Sequence, residues 1–152
     1  MSAYFYDSSA ISKHYHLEMG TDVVDGFLRA PNSQHYISRL TVIEIHSVFA
    51  RKVRMRDITE IDFVRLLRLL RADIGRSLLS VVRFMDAHYG EAERLLRSHS
   101  LHRGLRTLDA LQLSVAVTLA RHGGLDHFVC ADTRLADTAV AEGLSVLNPE
   151  AP

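Results

Sequence analysis

The chain has a single cysteine, Cys130, so no internal disulfide can form and the fold must be held by its own core. Long apolar runs are also missing. The longest nearly apolar stretch, Leu111 to Ala120, is interrupted by Gln112, Ser114 and Thr118 and is far too short to cross a bilayer. No membrane span is expected. Residues 1 to 10 lack the basic start and long apolar stretch of an export signal, which together with the lone thiol points to a reducing cytoplasm. Internal repeats, low-complexity tracts and Pro- or Gly-rich linkers are absent, so nothing divides the chain. What remains is 152 residues with 47% apolar content, enough to fill one core, and a single domain spanning 1–152 is expected.

Net charge is zero, but the charges are unevenly spread. From Arg51 to Arg106 there are 13 Lys or Arg against 7 Asp or Glu, a local balance of +6 that leaves −6 on the two ends together. A basic middle attracts phosphate while acidic ends can build a cation site, a combination that suits metal-dependent nucleic-acid enzymes. Solvated Arg-rich helix faces paired with nearby acids account for the same counts without any ligand.

Short apolar runs alternate with longer periodic segments. Strands are predicted at Tyr4–Tyr6, His35–Ser38, Leu78–Val82, His127–Cys130 and Leu144–Leu147. Helices are predicted at about 9–17, 21–29, 41–53, 59–74, 85–99, 107–122 and 132–142, with Pro31 and Asn32 breaking the second and Gly75, Gly123, Gly124 and Gly143 as stops. The pair spanning about 41–74 reads as a helical hairpin. Its second helix carries Ile61, Val64, Leu67, Leu70 and Ile74 on one stripe, with Arg65, Arg68 and Arg71 elsewhere. Strands separated by helices require parallel pairing with crossovers, so the fold class is α/β: a parallel sheet covered on both faces, a three-layer α/β/α sandwich. Ligands in such folds gather at the carboxyl ends of the strands, where strand order reverses.

Four acids stand where the local pattern switches: Asp7, Glu44, Asp109 and Asp132. Each has a structural alternative. Asp7 and Asp132 are good N-caps, Glu44 completes a capping box begun by Thr41, and Asp109 suits the dipole of its helix. Jointly they imply more, because four converging carboxylates repel and raise one another's pKa values unless a cation compensates them. Oxygen-only ligands suit Mg2+, or Mn2+, rather than zinc. A metal held by them would activate water and neutralise charge on an attacked phosphate.

The segments around these acids resemble the PIN-domain ribonucleases, specifically the VapC-like toxins of toxin-antitoxin pairs. Tyr6-Asp7-Ser8-Ser9-Ala10-Ile11-Ser12-Lys13 resembles their opening, and Ile37-Ser38-Arg39-Leu40-Thr41-Val42-Ile43-Glu44 their second motif. Leu105-Arg106-Thr107-Leu108-Asp109-Ala110-Leu111-Gln112-Leu113 resembles the third and is the most specific match; Phe128-Val129-Cys130-Ala131-Asp132-Thr133-Arg134-Leu135 resembles the fourth. The resemblance implies that Asp7, Glu44, Asp109 and Asp132 form a metal-binding catalytic quartet, with Ser8 supporting the first carboxylate or a metal-bound water. It further implies Mg2+-dependent hydrolysis of RNA phosphodiesters, a cognate antitoxin protein and a homodimer, for which the stripe on the 59–74 helix offers a surface. The alternative is a PIN-like scaffold that binds RNA or protein without cleaving it.

Three positions depart from the family pattern: Cys130 stands where a hydroxyl residue is common, and His14 and His16 where apolar residues are usual. We expect the two histidines on an exposed face of the first helix, with nucleic-acid contact as the alternative, and Cys130 packed in a core strand. Nine His residues are scattered without metal-ligand spacing, so His46 is expected to pack rather than ligate. Asp137 is expected on the surface, and Arg106 either contacts phosphate or pairs with a neighbouring acid.

Overall fold

The computed structural model of the chain describes residues 1–151. Five strands, β1 (Ser2–Tyr6), β2 (Ser33–Ser38), β3 (Ser80–Val82), β4 (His127–Val129) and β5 (Val146–Leu147), make one all-parallel sheet in the order β3-β2-β1-β4-β5. Among the described residues seven helices connect them: α1 (Ser8–Tyr15), α2 (Thr21–Leu28), α3 (Arg39–Arg54), α4 (Glu60–Gly75), α5 (Asp86–Arg103), α6 (Thr107–Arg121) and α7 (Thr133–Ala141). The chain steps outward from β1 to β3, then returns to the other side of β1 for β4 and β5. The reversal falls between β1 and β4, whose carboxyl ends therefore flank a crevice.

Alternation along β1 divides the core. Tyr4 and Tyr6 face one layer with Ile11, Val24, Ile45, Phe49 and Leu70 from α1 to α4, while Phe5 faces Leu95, Leu113 and Leu135 from α5 to α7. This is the expected α/β/α sandwich. Among the described residues no helix is long and apolar enough to cross a membrane.

The element boundaries move for identifiable reasons. In α3 the N-cap is Ser38, whose side chain accepts from the Thr41 amide at 3.0 Å, so the helix starts earlier than predicted and Glu44 lies in its second turn. The capping box of Thr41 and Glu44 does not form. α4 does begin with one, made by Thr59 and Asp62. α4 ends at Gly75, but the left-handed residue of its turn is Ser77, at φ 62°, and the amides of Leu78 and Leu79 turn back to the Asp73 carbonyl. These residues are consumed by the turn, and β3 starts only at Ser80. Likewise the Leu144 amide bonds the Ala139 carbonyl after Gly143, which leaves β5 two residues long. α5 runs past His99 to Arg103 and stops at left-handed Gly104.

The stripe predicted on α4 is only partly buried. Leu66, Leu70 and Asp73 form the buried seam, because Asp73 accepts a hydrogen bond from the Tyr15 hydroxyl on α1 at 2.7 Å, and this fixes the rotation of the helix. Ile61 and Val64 are left exposed. His14 is not on a free surface either: its Nδ1 lies 2.6 Å from Asp25 and its Nε2 3.5 Å from Asp73, so it ties α1 to α2 and α4. His16 contacts Lys52 at 3.1 Å. Asp137 is exposed, as expected.

On the opposite layer a charged network ties α5 to α6 and to the end of α7. Arg94 pairs with Glu91 and with Glu142, His99 lies 2.6 Å from Glu142, and Arg121 bonds Glu91 at 2.8 Å. Burial pushes the Glu142 carboxyl upward, but the bonds from Arg94 and His99 outweigh it and hold the group below its ordinary value. A depressed carboxylate contributes stability that is present above its unfolded pKa and lost as pH falls through the folded one. Glu142→Gln should therefore lower unfolding free energy by about 1.5–3 kcal/mol near pH 7. The deficit against the wild type, followed by urea denaturation, should close as pH is lowered through the acidic range; a pH-independent deficit would contradict this assignment.

Candidate functional site

Three of the four acids lie near enough at the carboxyl edge of the sheet for their charges to act on one another. Asp7 follows β1 and caps α1, its Oδ2 accepting from the Ser9 amide at 3.0 Å. The Asp7 amide itself donates to the Val129 carbonyl of β4, so the residue sits at the strand-order reversal. Glu44 projects from α3, and Asp109 from the first turn of α6, on the opposite side of the sheet. α3 and α6 pack together over the edge, which brings the two layers into one site.

Gln112 joins these groups. It lies on α6 one turn after Asp109, is buried, and its Nε2 donates to Thr41 Oγ1 at 2.6 Å while lying 3.3 Å from both Asp7 Oδ1 and Glu44 Oε2. Its carbonyl accepts from the Ser38 hydroxyl. The residue that caps α3 is thus bonded to the amide that sits between the two carboxylates. Sequence reasoning missed Gln112 as a site residue; the available signal was a polar side chain inside an apolar helical run, three positions from an acid and so on the same face.

Electrostatics couples the three acids. Burial is the main reason the Asp7 carboxyl is raised; hydrogen bonds from Ser9 and Ser8 work against the shift, and the charge of Asp109 adds to it. Glu44 is pushed up to about 7, first by burial and then by Asp7 and Asp109, against bonds from the Ser8 hydroxyl and Gln112. Ser8 stands beside both acids and tempers the shift of each. Arg106 takes the alternative of pairing with Asp109, Nε to Oδ2 at 3.3 Å.

Asp132 is placed differently. Its Oδ1 accepts from the Arg134 and Leu135 amides at 3.0 and 3.1 Å, so the carboxylate turns into the first turn of α7. It is not among the charges acting on Asp7 or Glu44. The loop that carries it is nevertheless pinned to the site, because Ser9 Oγ accepts from the Ala131 and Asp132 amides at 3.1 and 3.3 Å. Ser9 is a second residue not anticipated as part of the site. Cys130 packs in the core as expected, and its Sγ also lies 4.0 Å from Asp7 Oδ2. Burial and the Asp7 charge push its thiol well above the ordinary range, so it is no nucleophile. His46 bonds the Val42 carbonyl of its own helix and stays outside the site.

The oxygen donors of the site are carboxylates and hydroxyls, which match a hard divalent cation and not zinc. The raised carboxyls fit one as well, since a cation relieves both the burial and the mutual repulsion. Among the described residues no three His, Cys, Asp or Glu side chains are gathered closely enough to form a ligand group as they stand, the Gln112 amide lying between Asp7 and Glu44.

A model of the PIN domain family matches residues 4–141. No curated protein matches the chain in sequence. Among solved structures the chain is similar to FitAcB from Neisseria gonorrhoeae, at 18% identity and a TM-score of 0.63 over 98% of this chain and 99% of that one. It is also similar to VapBC2 from Rickettsia felis bound to a DNA fragment from their promoter, at 15% identity, TM-score 0.62 and coverage of 96% and 98%. A third is VapC20 of Mycobacterium tuberculosis, a sarcin-ricin loop cleaving toxin, at 15% identity, TM-score 0.60 and coverage of 82% and 86%. At such identities the likeness is one of fold.

The buried Asp7 carboxyl yields a stability prediction. Asn caps helices as well as Asp does and keeps one oxygen for the Ser9 amide, while its NH2 replaces the oxygen that accepts from Gln112, so Asp7→Asn removes charge at nearly constant shape with the loss of one acceptor. A raised carboxyl costs stability as pH rises from its unfolded value through its folded one. In chelator, Asp7→Asn should therefore stabilise the protein by about 1–3 kcal/mol at pH 7 and leave it unchanged near pH 4, read by chemical denaturation at both values. Destabilisation at pH 7 would mean that the ionised carboxylate is favourably held.

Proposed function

The chain belongs to the PIN domain family, and on that premise we propose that it is a Mg2+-dependent endoribonuclease acting as the toxin of a toxin-antitoxin pair. The observation that carries the reading is the coupling of Asp7, Glu44 and Asp109 around Gln112 at the strand-order reversal. Support for the toxin role comes from the similarity to VapBC and FitAB proteins, and for RNA as substrate from the similarity to a toxin that cleaves the sarcin-ricin loop.

In this mechanism Asp7, Glu44 and Asp109 would hold the ion, with Asp132, at the start of α7, as the fourth acid of the set. A divalent cation bound there supplies Lewis acidity toward water and toward a phosphate oxygen. The protein's own groups do the rest. Gln112 and Ser8 orient the carboxylates through hydrogen bonds, and Ser9 holds the Asp132 loop against α1. The same reading implies a cognate antitoxin that covers the acidic crevice, a cytoplasmic setting and a homodimer. The exposed Ile61 and Val64 of α4 offer an apolar surface for the dimer.

A catalytically silent PIN-like scaffold is the second reading, favoured by the absence, among the described residues, of a ready-made three-ligand group. Calorimetry separates the two: saturable Mg2+ or Mn2+ binding abolished by Glu44→Gln belongs to the enzyme, and no binding near millimolar metal belongs to the scaffold. Asp109→Asn, which lies at the surface end of the trio and keeps the shape of the side chain, should lower Mg2+-dependent cleavage of RNA at least about a hundredfold. Undiminished cleavage by a folded Asp109→Asn protein would reject the assignment.

A further inference from the structure

The Gln112 side chain faces more acceptors than it has protons. A primary amide carries two N–H donors, and three oxygens surround its Nε2: Thr41 Oγ1 at 2.6 Å, Asp7 Oδ1 at 3.3 Å and Glu44 Oε2 at 3.3 Å. The short contact commits one proton to Thr41, so the other is shared between the two carboxylates. The orientation of the amide is fixed from behind. Ser38 Oγ accepts from the Thr41 amide at 3.0 Å and donates its own proton to the Gln112 carbonyl. Turned the other way round, the amide would set its oxygen against both acids. The residue is 1% exposed, so packing holds it in this place.

A donor equidistant from two carboxylates stands in for a cation. Its shared proton takes the lone pairs of Asp7 Oδ1 and Glu44 Oε2 that a divalent ion would use, while Asp7 Oδ2 is engaged by the Ser9 amide. The substitute is weak, because the dipole of one N–H cannot cancel two full charges in a buried site. Mg2+ binds oxygen at about 2.0–2.1 Å with near-octahedral demands, so an ion that gathers the two oxygens around itself expels the shared proton from between them. The same placement accounts for the lack, among the described residues, of a ready-made ligand group.

We propose that Gln112 is a positioning residue that competes with the cation: in the metal-free site its Nε2 holds Asp7 and Glu44 in place of the ion, and it yields both when the ion binds while keeping Thr41 and Ser38. The inference rests on the metal-dependent reading above and adds a threshold to it. Gln112 keeps the two acids side by side at low metal, and ion binding must then break the shared bond and leave a buried N–H unpaired. A residue that only supported the ligands would strengthen metal binding. Removal of its donors therefore has opposite signs under the two roles.

The test is calorimetric titration of Mg2+ and Mn2+ into wild type and Gln112→Met, in mildly alkaline buffer so that protons do not compete for the carboxylates. Met has a similar length and volume and no N–H to give. Gln112→Met should bind the ion about tenfold more tightly, the worth of one hydrogen bond to a charged group. Weaker or equal binding would overturn the proposal and leave the metal-dependent reading in place. A second measurement needs no variant. The chain has two glutamines, Gln34 and Gln112, so labelling glutamine side chains with 15N gives two NH2 pairs, one of them an internal control bonded to Tyr36. On addition of Mg2+ to wild type one Gln112 proton should move upfield as its carboxylate partners are lost, saturating with the calorimetric affinity, while Gln34 stays in place. An unmoved or downfield-shifted Gln112 signal at metal saturation would also overturn it. Metal binding by Gln112→Met and none by wild type would uphold the competition and reject wild type as a metal-dependent nuclease. No binding by either protein would reject both.

Discussion

Asp7 is buried at the carboxyl edge of the sheet with no ion-pair partner among the described residues, and its neighbours are arranged around that unfavourable charge. Amides at the start of α1 and the Gln112 side chain bond it, yet burial still dominates. Hydrogen bonds to neutral donors soften a buried charge without neutralising it. Adding Glu44 and Asp109 to the same space raises the cost further. A site built this way has the most to gain from a cation.

The topology explains why the cost falls at this point and not elsewhere. A parallel sheet that reverses strand order leaves the carboxyl ends of β1 and β4 uncovered by a crossover, so the chain leaving each strand can face the same crevice. Asp7 and the Asp132 loop come from those two exits, and Ser9 ties them together. α3 and α6 belong to opposite layers and meet only over the edge, where Gln112 spans the gap to Thr41 and Glu44.

The layer architecture and element order were legible because each element repeats one simple signal, apolar run or helical period, many times over. Element ends were less so. Glycines at 123, 124 and 143 do stop helices, but at the end of α4 a serine adopts the left-handed conformation instead of Gly75, and only backbone bonding to Asp73 reveals it. The Ser38 cap was hidden for a related reason: Ser38 and Thr41 are both good caps, and the choice between them depends on Gln112, 71 residues from Thr41. Acids were easy to single out, since charge at a pattern switch is conspicuous. Gln112, neutral and set within an apolar run, carries its meaning only through long-range contacts.

Asp132 shows how a structural role and a ligand role can coexist. Both amides at the start of α7 fall on Oδ1, and among the described residues Oδ2 has no hydrogen-bond partner. A capping carboxylate is held rigidly by its helix and keeps part of its charge. Rigid placement favours a group that must meet an ion or a phosphate, because no side-chain entropy is lost on binding. Asp7 combines the two in the same way, with Oδ2 on the Ser9 amide and Oδ1 toward Gln112 and Glu44. Capping, the bland explanation for each acid taken alone, is therefore also the means by which the fold would aim both carboxylates into one crevice.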